Sequence, residues 1–176
     1  FWSRSGLPER DEYNLAGATA CPTAVLASGQ HLFVVEHGSH LITKLRTTSG
    51  TTVAMAGGWG DGDGQLRHPW GCALNGSDLY VVDTGNRRVC CFSASSLSFK
   101  FAFGEKCFGD DNNSFVMPKG IAVHEGYVYL ADAGAHCIWV FSTSGCFQKI
   151  IGRHGSEPGR FRTPTGVATA NGRLYV

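Results

Sequence analysis

The chain has 176 residues, of which 43% are hydrophobic and 16% are charged, and its formal net charge is +1. This composition indicates a globular domain rather than a disordered segment, and it lacks the basic excess that is typical of nucleic-acid-binding domains. No apolar run approaches the roughly 20 residues of a membrane-spanning helix, so no membrane span is predicted.

An internal repeat is marked by four prolines, which stand 47, 49 and 46 residues apart at Pro22, Pro69, Pro118 and Pro164. Each proline is followed eleven residues later by an aromatic residue, and each of the first three is followed fourteen residues later by an acid. Because no gap interrupts this spacing, the chain is predicted to repeat one structural unit.

The repeat divides the whole chain, residues 1–176, into consecutive units. Residues 1–21 are predicted to end a preceding unit, residues 22–58, 69–104 and 118–152 to form three units, and residues 164–176 to begin another, which gives about 3.5 units. The chain begins with Phe1 and stops within a predicted second strand, so we expect it to be a segment of a longer protein.

Each unit is predicted to consist of four short strands. In the second unit they lie near 70–75, 78–83, 87–93 and 98–104, where Val, Phe, Tyr and Leu are bounded by Gly, Asp, Asn and Ser. No stretch has a 3.6-residue period, so almost no helix is expected. Units of this kind are typical of β-propeller blades. The predicted fold is therefore all-β, a β-propeller of four-stranded antiparallel blades, with innermost strands that begin near Thr23, Trp70 and Lys119.

Two stretches, HPWGCALNGSDLYVVDTGNRRVCCF and MPKGIAVHEGYVYLADAGAHCIWVF, resemble NHL repeats. The second unit matches the family's Asp-x-Gly-Asn-x-Arg segment through Asp83, Gly85, Asn86 and Arg88. The Asn and Arg are replaced by Ser39 and Leu41 in the first unit and by Ala135 and Cys137 in the third. The resemblance implies an NHL-type propeller. The replacements disfavour a ligand that is bound by the same residues in every blade.

An acid and a glycine follow each predicted second strand. They are Glu36 with Gly38, Asp83 with Gly85 and Asn86, and Asp132 with Gly134. A short acceptor side chain bonds nearby N–H groups and glycine adopts positive φ readily, so we interpret these residues as structural turns. Catalytic carboxylates would not need to recur in every unit.

No metal, cofactor or catalytic centre is predicted. The loops with Asp61 and Asp63, and with Asp110, Asp111 and Asn112, lack the closing glutamate of a calcium-binding EF-hand. Propeller lyases that cleave hydroxyglycine peptides resemble the NHL family and hold zinc through histidines just after the repeat's proline. The residues at those positions are Thr23, Trp70, Lys119 and Thr165, and none is a zinc ligand.

The seven cysteines show no repeated pairing and no C-x-x-C spacing. Cys72 stands where other units have Val25, Ile121 and Val167, and Cys91 stands where the third unit has Val140, so both are predicted to be small core residues. Disulfide frameworks belong mainly to small secreted domains, which favours free thiols in a reducing intracellular compartment.

Basic and aromatic residues cluster where the segment before each first strand and the loop after each second strand emerge, on one face of the propeller. The candidate residues are Arg67, His68, Trp70, Arg87, Arg88, Lys119 and His136. Since Trp and Arg are common anchors of protein interfaces, we expect a non-catalytic scaffold that presents this face to a protein partner within a larger assembly. Single-stranded RNA is the alternative ligand for the same face, disfavoured by the near-neutral charge, and a metal-dependent lyase is the second alternative.

Overall fold

The computed structural model describes residues 21–104 and 114–176. The predicted end of a preceding blade at residues 1–21 lies outside the described residues except for Cys21, and so do Cys107, Asp110, Asp111 and Asn112. The first blade consists of β1 (Pro22–Ser28), β2 (His31–Glu36), β3 (Leu41–Arg46) and β4 (Thr52–Gly57). The second consists of β5 (Pro69–Asn75), β6 (Asp78–Asp83), β7 (Arg88–Ser93) and β8 (Phe99–Phe103). The third consists of β9 (Pro118–His124), β10 (Tyr127–Asp132), β11 (Cys137–Ser142) and β12 (Phe147–Ile151), and β13 (Ala168–Ala170) and β14 (Arg173–Tyr175) begin a fourth.

The strands of each complete blade form one four-stranded antiparallel sheet in chain order. A single turn of 3₁₀ helix, Thr84–Asn86, is the only helix in the described part of the chain, and it is far too short to cross a membrane. The predicted all-β fold of four-stranded antiparallel blades is therefore confirmed.

The first strands of successive blades lie side by side, as β1 contacts β5 and β5 contacts β9. In the second and third units the glycine two residues after the proline makes the approach to the following unit possible, whereas the first unit has Ala24 at that position. A Cβ on Gly71 would stand 2.4 Å from the carbonyl oxygen of Lys119, and a Cβ on Gly120 would stand 2.7 Å from that of Thr165. Only glycine fits such an approach without displacing the neighbouring backbone.

The hydrophobic core lies between the blades rather than within them. Along β6, Leu79 and Val81 belong to the cluster that includes Phe33 of the first blade, whereas Tyr80 and Val82 belong to the cluster that includes Trp139 of the third. Side chains of a strand alternate between its two faces. A middle blade packs against a neighbour on each face, so it needs apolar residues at both the odd and the even positions of its strands. This packing explains why the inner strands read as continuous hydrophobic runs.

The fourth unit differs from the others at its start. Pro22, Pro69 and Pro118 each pair with the acid that follows fourteen residues later. In the fourth unit β13 begins at Ala168, four residues after Pro164.

Cys72, Cys90, Cys91, Cys137 and Cys146 are free thiols. Burial raises the pKa of Cys72, Cys90 and Cys137 to about 12. Thiols with such a pKa stay protonated at neutral pH and are poor nucleophiles, so these three residues behave as core side chains.

Candidate functional site: the loop face

One end of the blades carries both the loop after each second strand and the segment that leads into the next blade. The two are joined by hydrogen bonds: the Arg67 backbone N–H donates to Asp83 Oδ1 at 2.7 Å, and the Gly85 N–H donates to the Arg67 carbonyl at 2.8 Å. In the next junction the Met117 N–H donates to Asp132 Oδ1 at 2.8 Å. We call this end the loop face.

The acids that close the second strands lie beneath the loop face and organise its turns. Asp83 and Asp132 are fully buried. Asp132 accepts backbone N–H groups from both the incoming segment and its own turn, together with the indole N–H of Trp139 at 3.3 Å.

The other two acids are bonded in the same way. Asp83 accepts the Asn86 amide and the Arg88 guanidinium, each at 2.8 Å. Glu36 accepts the hydroxyls of Ser39 and Thr43. Because these oxygens are occupied, the acids are structural acceptors.

Gly85 and Gly134 are needed for close approach and not for positive φ, so the sequence interpretation had the wrong reason. A Cβ on Gly85 would lie 2.6 Å from Arg67 Cγ, and one on Gly134 would lie 2.5 Å from Val116 Cγ1. Positive φ occurs instead four residues after each acid, at His40 (61°), Arg87 (53°) and His136 (56°).

Arg88 does not belong to the exposed face, which corrects the sequence prediction. It is only 4% exposed, and its guanidinium bonds Asp83 and the carbonyl oxygens of Asp61, Gly62 and Gln65. The side chain therefore points inward and fastens the incoming segment to the acid of its own blade. Its neighbour Arg87 adopts the left-handed conformation and is exposed.

Two histidines at equivalent positions of the repeat fasten the loop of one blade to the start of the next. The Nδ1 atom of His40 accepts the backbone N–H of His68 at 3.0 Å, and the Nδ1 atom of His136 accepts that of Thr163 at 3.0 Å. Both donors precede the proline of the following unit. We call each pair a histidine latch.

Five rings pack together on the loop face between the first and second blades, and we call them the aromatic cluster: His37, His40, Trp59, His68 and Trp70. Ring centroids lie 4.6 Å apart for His37–His68 and for His40–His68, 4.7 Å for His40–Trp59, and 5.6 Å for His37–Trp70. Most of these contacts are edge-to-face, the arrangement that aromatic quadrupoles favour.

Two cations cover the indoles of the aromatic cluster. The guanidinium carbon of Arg67 lies 4.6 Å from the centroid of Trp59, and Lys119 Nζ lies 4.1 Å from that of Trp70. Trp59 nevertheless remains 56% exposed. The cluster therefore presents an electropositive, partly apolar surface.

Burial and neighbouring groups lower the pKa of two histidines of the aromatic cluster, His37 and His40. Burial and the proximity of His68 and Lys119 lower the pKa of His37 below its usual 6.5. Burial, His68 and His37 likewise lower the pKa of His40, against a smaller opposing effect of Asp83. A neutral ring is also what the His40 latch needs, because a protonated Nδ1 could not accept a hydrogen bond.

The structure brings together four of the predicted candidates: Arg67, His68, Trp70 and Lys119 meet at the first blade junction. Arg87 lies on the adjacent loop, and His136 lies at another junction, with its ring 4.6 Å from that of His154. Sequence reasoning did not include His37, His40 and Trp59 in the face. A positional signal for Trp59 was present, since it stands ten residues before Pro69, as His154 does before Pro164.

Metal binding finds no support in the described geometry. Within residues 21–104 and 114–176, no three or more His, Cys, Asp or Glu side chains are arranged to hold a metal ion. The histidines of the aromatic cluster pack ring against ring instead of converging their nitrogen atoms on one point.

Comparison with known proteins places these blades in a family. A model of the NHL repeat matches residues 115–141. The chain is 31% identical over 125 residues to Protein brain tumor of Drosophila melanogaster, an alignment that spans 68% of this chain and 11% of that protein.

Solved structures share the fold at low sequence identity. Glutaminyl cyclase of Myxococcus xanthus superposes with a TM-score of 0.63 at 15% identity, covering 89% of this chain and 60% of the enzyme. Hydrazine synthase of Kuenenia stuttgartiensis superposes with a TM-score of 0.64 at 16% identity, covering 83% of this chain and 38% of that one. At such identities the likeness shows the fold alone. The repeat, the blade architecture and the family match agree, and the chain is a member of the NHL-repeat β-propeller family.

Proposed function

We propose that this chain is a non-catalytic propeller scaffold whose loop face binds a protein partner within a larger assembly. The observation that carries the proposal is the aromatic cluster with Arg67 and Lys119. Tryptophan and arginine are enriched among the residues that dominate binding energy at protein interfaces, and here both types lie together on one face.

The architecture separates the parts of the repeat that build the fold from those that are free to bind. Buried acids, close-packed glycines and Arg88 hold the turns from below, whereas Trp59 and Arg87 are exposed above them. A rigid support beneath variable surface side chains is the usual arrangement of a binding face.

Site-specific photo-cross-linking tests whether the loop face docks a protein. We expect a photoreactive phenylalanine analogue at Arg87 to form a discrete adduct with the partner. The same analogue at Ser144, which is exposed on the turn between β11 and β12 at the opposite end, serves as the control. Equal adducts from both positions, or none from Arg87, would contradict the proposal.

Trp70→Ala measures the contribution of the cluster to binding once that partner is purified. We expect affinity to fall by roughly 2 kcal/mol or more, as for an interface anchor, with little change in the unfolding temperature. Tyr127→Ala, at a 43% exposed aromatic residue on the opposite end, is the control. A large loss of stability with unaltered affinity would show that Trp70 is a packing residue.

Single-stranded RNA remains the second candidate for the loop face, because rings and basic side chains lie together there. A lyase of the zinc type has less support. The residues after the repeat's prolines are Thr23, Trp70, Lys119 and Thr165, and the solved enzymes above share only the fold.

A further inference from the structure

The charge balance of the loop face differs from that of the whole chain. Its exposed or half-buried basic residues in the described part of the chain are Arg67, Arg87, Lys119, Arg153, Arg160 and Arg162. The exposed or half-buried acids of the same segments are Glu36, Asp61, Asp63 and Glu157, and Glu157 pairs with Arg160. Among the residues that the structure describes, basic side chains therefore outnumber acidic ones at this end.

The cations of the aromatic cluster have no carboxylate partner. Within residues 21–104 and 114–176, neither Arg67 nor Lys119 forms an ion pair, and the Arg67 Nε atom has no hydrogen-bond acceptor. Of the acids beneath the loop face, Asp83 is buried and its oxygens are taken by backbone, amide and guanidinium donors, and the oxygens of Glu36 accept two hydroxyls. The positive charge of the cluster is thus left to an external anion.

We propose that the aromatic cluster, together with Arg67 and Lys119, is an anion-binding site that takes the carboxylates of an acidic segment of the partner protein. This inference rests on the proposed function and names the chemistry of the partner. Opposite charge across an interface increases the rate of association and selects the partner.

The geometry favours carboxylates over nucleic-acid bases. Binding of single-stranded nucleic acid relies on aromatic faces on which bases stack. Here Arg67 and Lys119 already lie over the indoles of Trp59 and Trp70, and histidine edges fill the space between them. Beside the exposed ring of Trp59, the site offers the charged N–H groups of Arg67 and Lys119, which suit a carboxylate acceptor.

The charged group beside His37 agrees with this preference. Burial lowers the pKa of His37, and the proximity of His68 and Lys119 lowers it further. The Lys119 ammonium therefore adds positive charge beside the cluster, where it attracts an anion.

A peptide-binding experiment tests the inference on the intact chain. The probe is a fluorescein-labelled octapeptide of alternating Asp and Glu, compared with one of alternating Asn and Gln and with a labelled decauridylate. We expect the acidic peptide to bind at least tenfold more tightly than the neutral one, with an affinity that falls as salt rises. Tighter binding of the decauridylate would overturn the inference in favour of RNA, and equal binding of both peptides would overturn it outright.

Charge-reversal variants locate the site. Lys119→Glu and Arg67→Glu are each expected to weaken binding of the acidic peptide roughly tenfold, whereas Lys149→Glu, on the exposed strand β12, leaves it unchanged. Lys119→Gln is the second variant if Lys119→Glu fails to fold, and it should weaken binding severalfold. Equal loss from Lys149→Glu would show that the attraction is not local.

The two proposals fail separately. If a photoreactive residue at position 87 cross-links a protein but the acidic peptide does not bind the chain, this inference fails while the proposed function stands.

Discussion

Arg87 and Arg88 are adjacent in sequence and opposite in environment. Arg87 is exposed in the left-handed conformation, while the Arg88 guanidinium is buried against Asp83 at 2.8 Å. The family pattern indicates that an arginine stands at position 88, yet a pattern of residue types does not show which way the side chain points. The direction of the Arg88 side chain depends on three carbonyl oxygens of the incoming segment, to which its guanidinium donates. This is a tertiary contact, and a local sequence pattern does not predict it.

Replacing Arg88 should destabilise the fold. In Arg88→Met the buried carboxylate of Asp83 loses its counter-charge, so we expect the free energy of unfolding to fall by about 3–5 kcal/mol. Arg87→Met, the matched change one residue away on an exposed side chain, should stay within about 0.5 kcal/mol of the parent. Denaturant unfolding of the two variants provides the measurement, and similar losses for both would show that the buried pair is not a determinant of stability.

At the scale of elements, the histidine latches connect the first and third loops to the segment before the next proline. The two latches share geometry although their donors differ, since His68 and Thr163 both adopt positive φ (47° and 48°). The second loop has Arg87 at the position of the latch histidine, and Met117 before the next proline is not among the residues with positive φ. All three loops thus keep the left-handed conformation at the latch position, and the side chain there varies.

The His40 latch makes stability depend on pH in a defined direction. His40 faces His37, His68 and Arg67, which lower its pKa together with burial, and Asp83, which raises it. Because the folded pKa lies below the unfolded value of 6.5, the unfolded chain binds the proton first as pH falls. The contribution of the latch is thus present above pH 6.5 and is lost as the pH falls through the folded pKa.

His40→Asn should reduce this pH dependence. Asparagine tolerates the left-handed conformation and offers an acceptor oxygen without a titratable group. Between pH 7.5 and pH 5.5 we expect the variant to lose about 0.5–1.5 kcal/mol less unfolding free energy than the parent, the contribution of one hydrogen bond. His31→Asn, at the opposite end of the first blade, should titrate like the parent, and a His40→Asn profile parallel to the parent's would contradict the mechanism.

At the scale of the whole molecule, the blade architecture was predictable from sequence because it depends on a repeated spacing. The prolines at positions 69 and 118 begin β5 and β9, and the acids at 83 and 132 end β6 and β10. The aromatic cluster was only partly predictable. His37 and His40 come from one blade while Trp59 and His68 come from the segment that follows it, and only the packing of blade against blade brings their rings within 4.6–5.6 Å.

Contacts between blades also include polar ones that the repeat does not reveal. Lys44 occupies the position of Cys91 and Val140 in the other units, in the middle of a third strand. It is 6% exposed, and its Nζ donates to the carbonyl oxygens of Ala94 and Ser95 in the second blade, each at 2.9 Å. A charged residue at a core position of the repeat thus connects the first and second blades by hydrogen bonds.

Removing those hydrogen bonds should loosen the first blade from the second. Lys44→Met keeps the volume of the aliphatic stem but leaves two carbonyl groups without their donor, so we expect a loss of about 1–3 kcal/mol in unfolding free energy. Because β1–β4 pack on the second blade through this junction, native-state hydrogen exchange should accelerate in β1–β4 more than in β9–β12. Lys149→Met, on the exposed strand β12, is the matched control and should change neither quantity. Unchanged exchange in β1–β4 would mean that apolar packing of Phe33, Ile42 and Leu79 alone holds the two blades together.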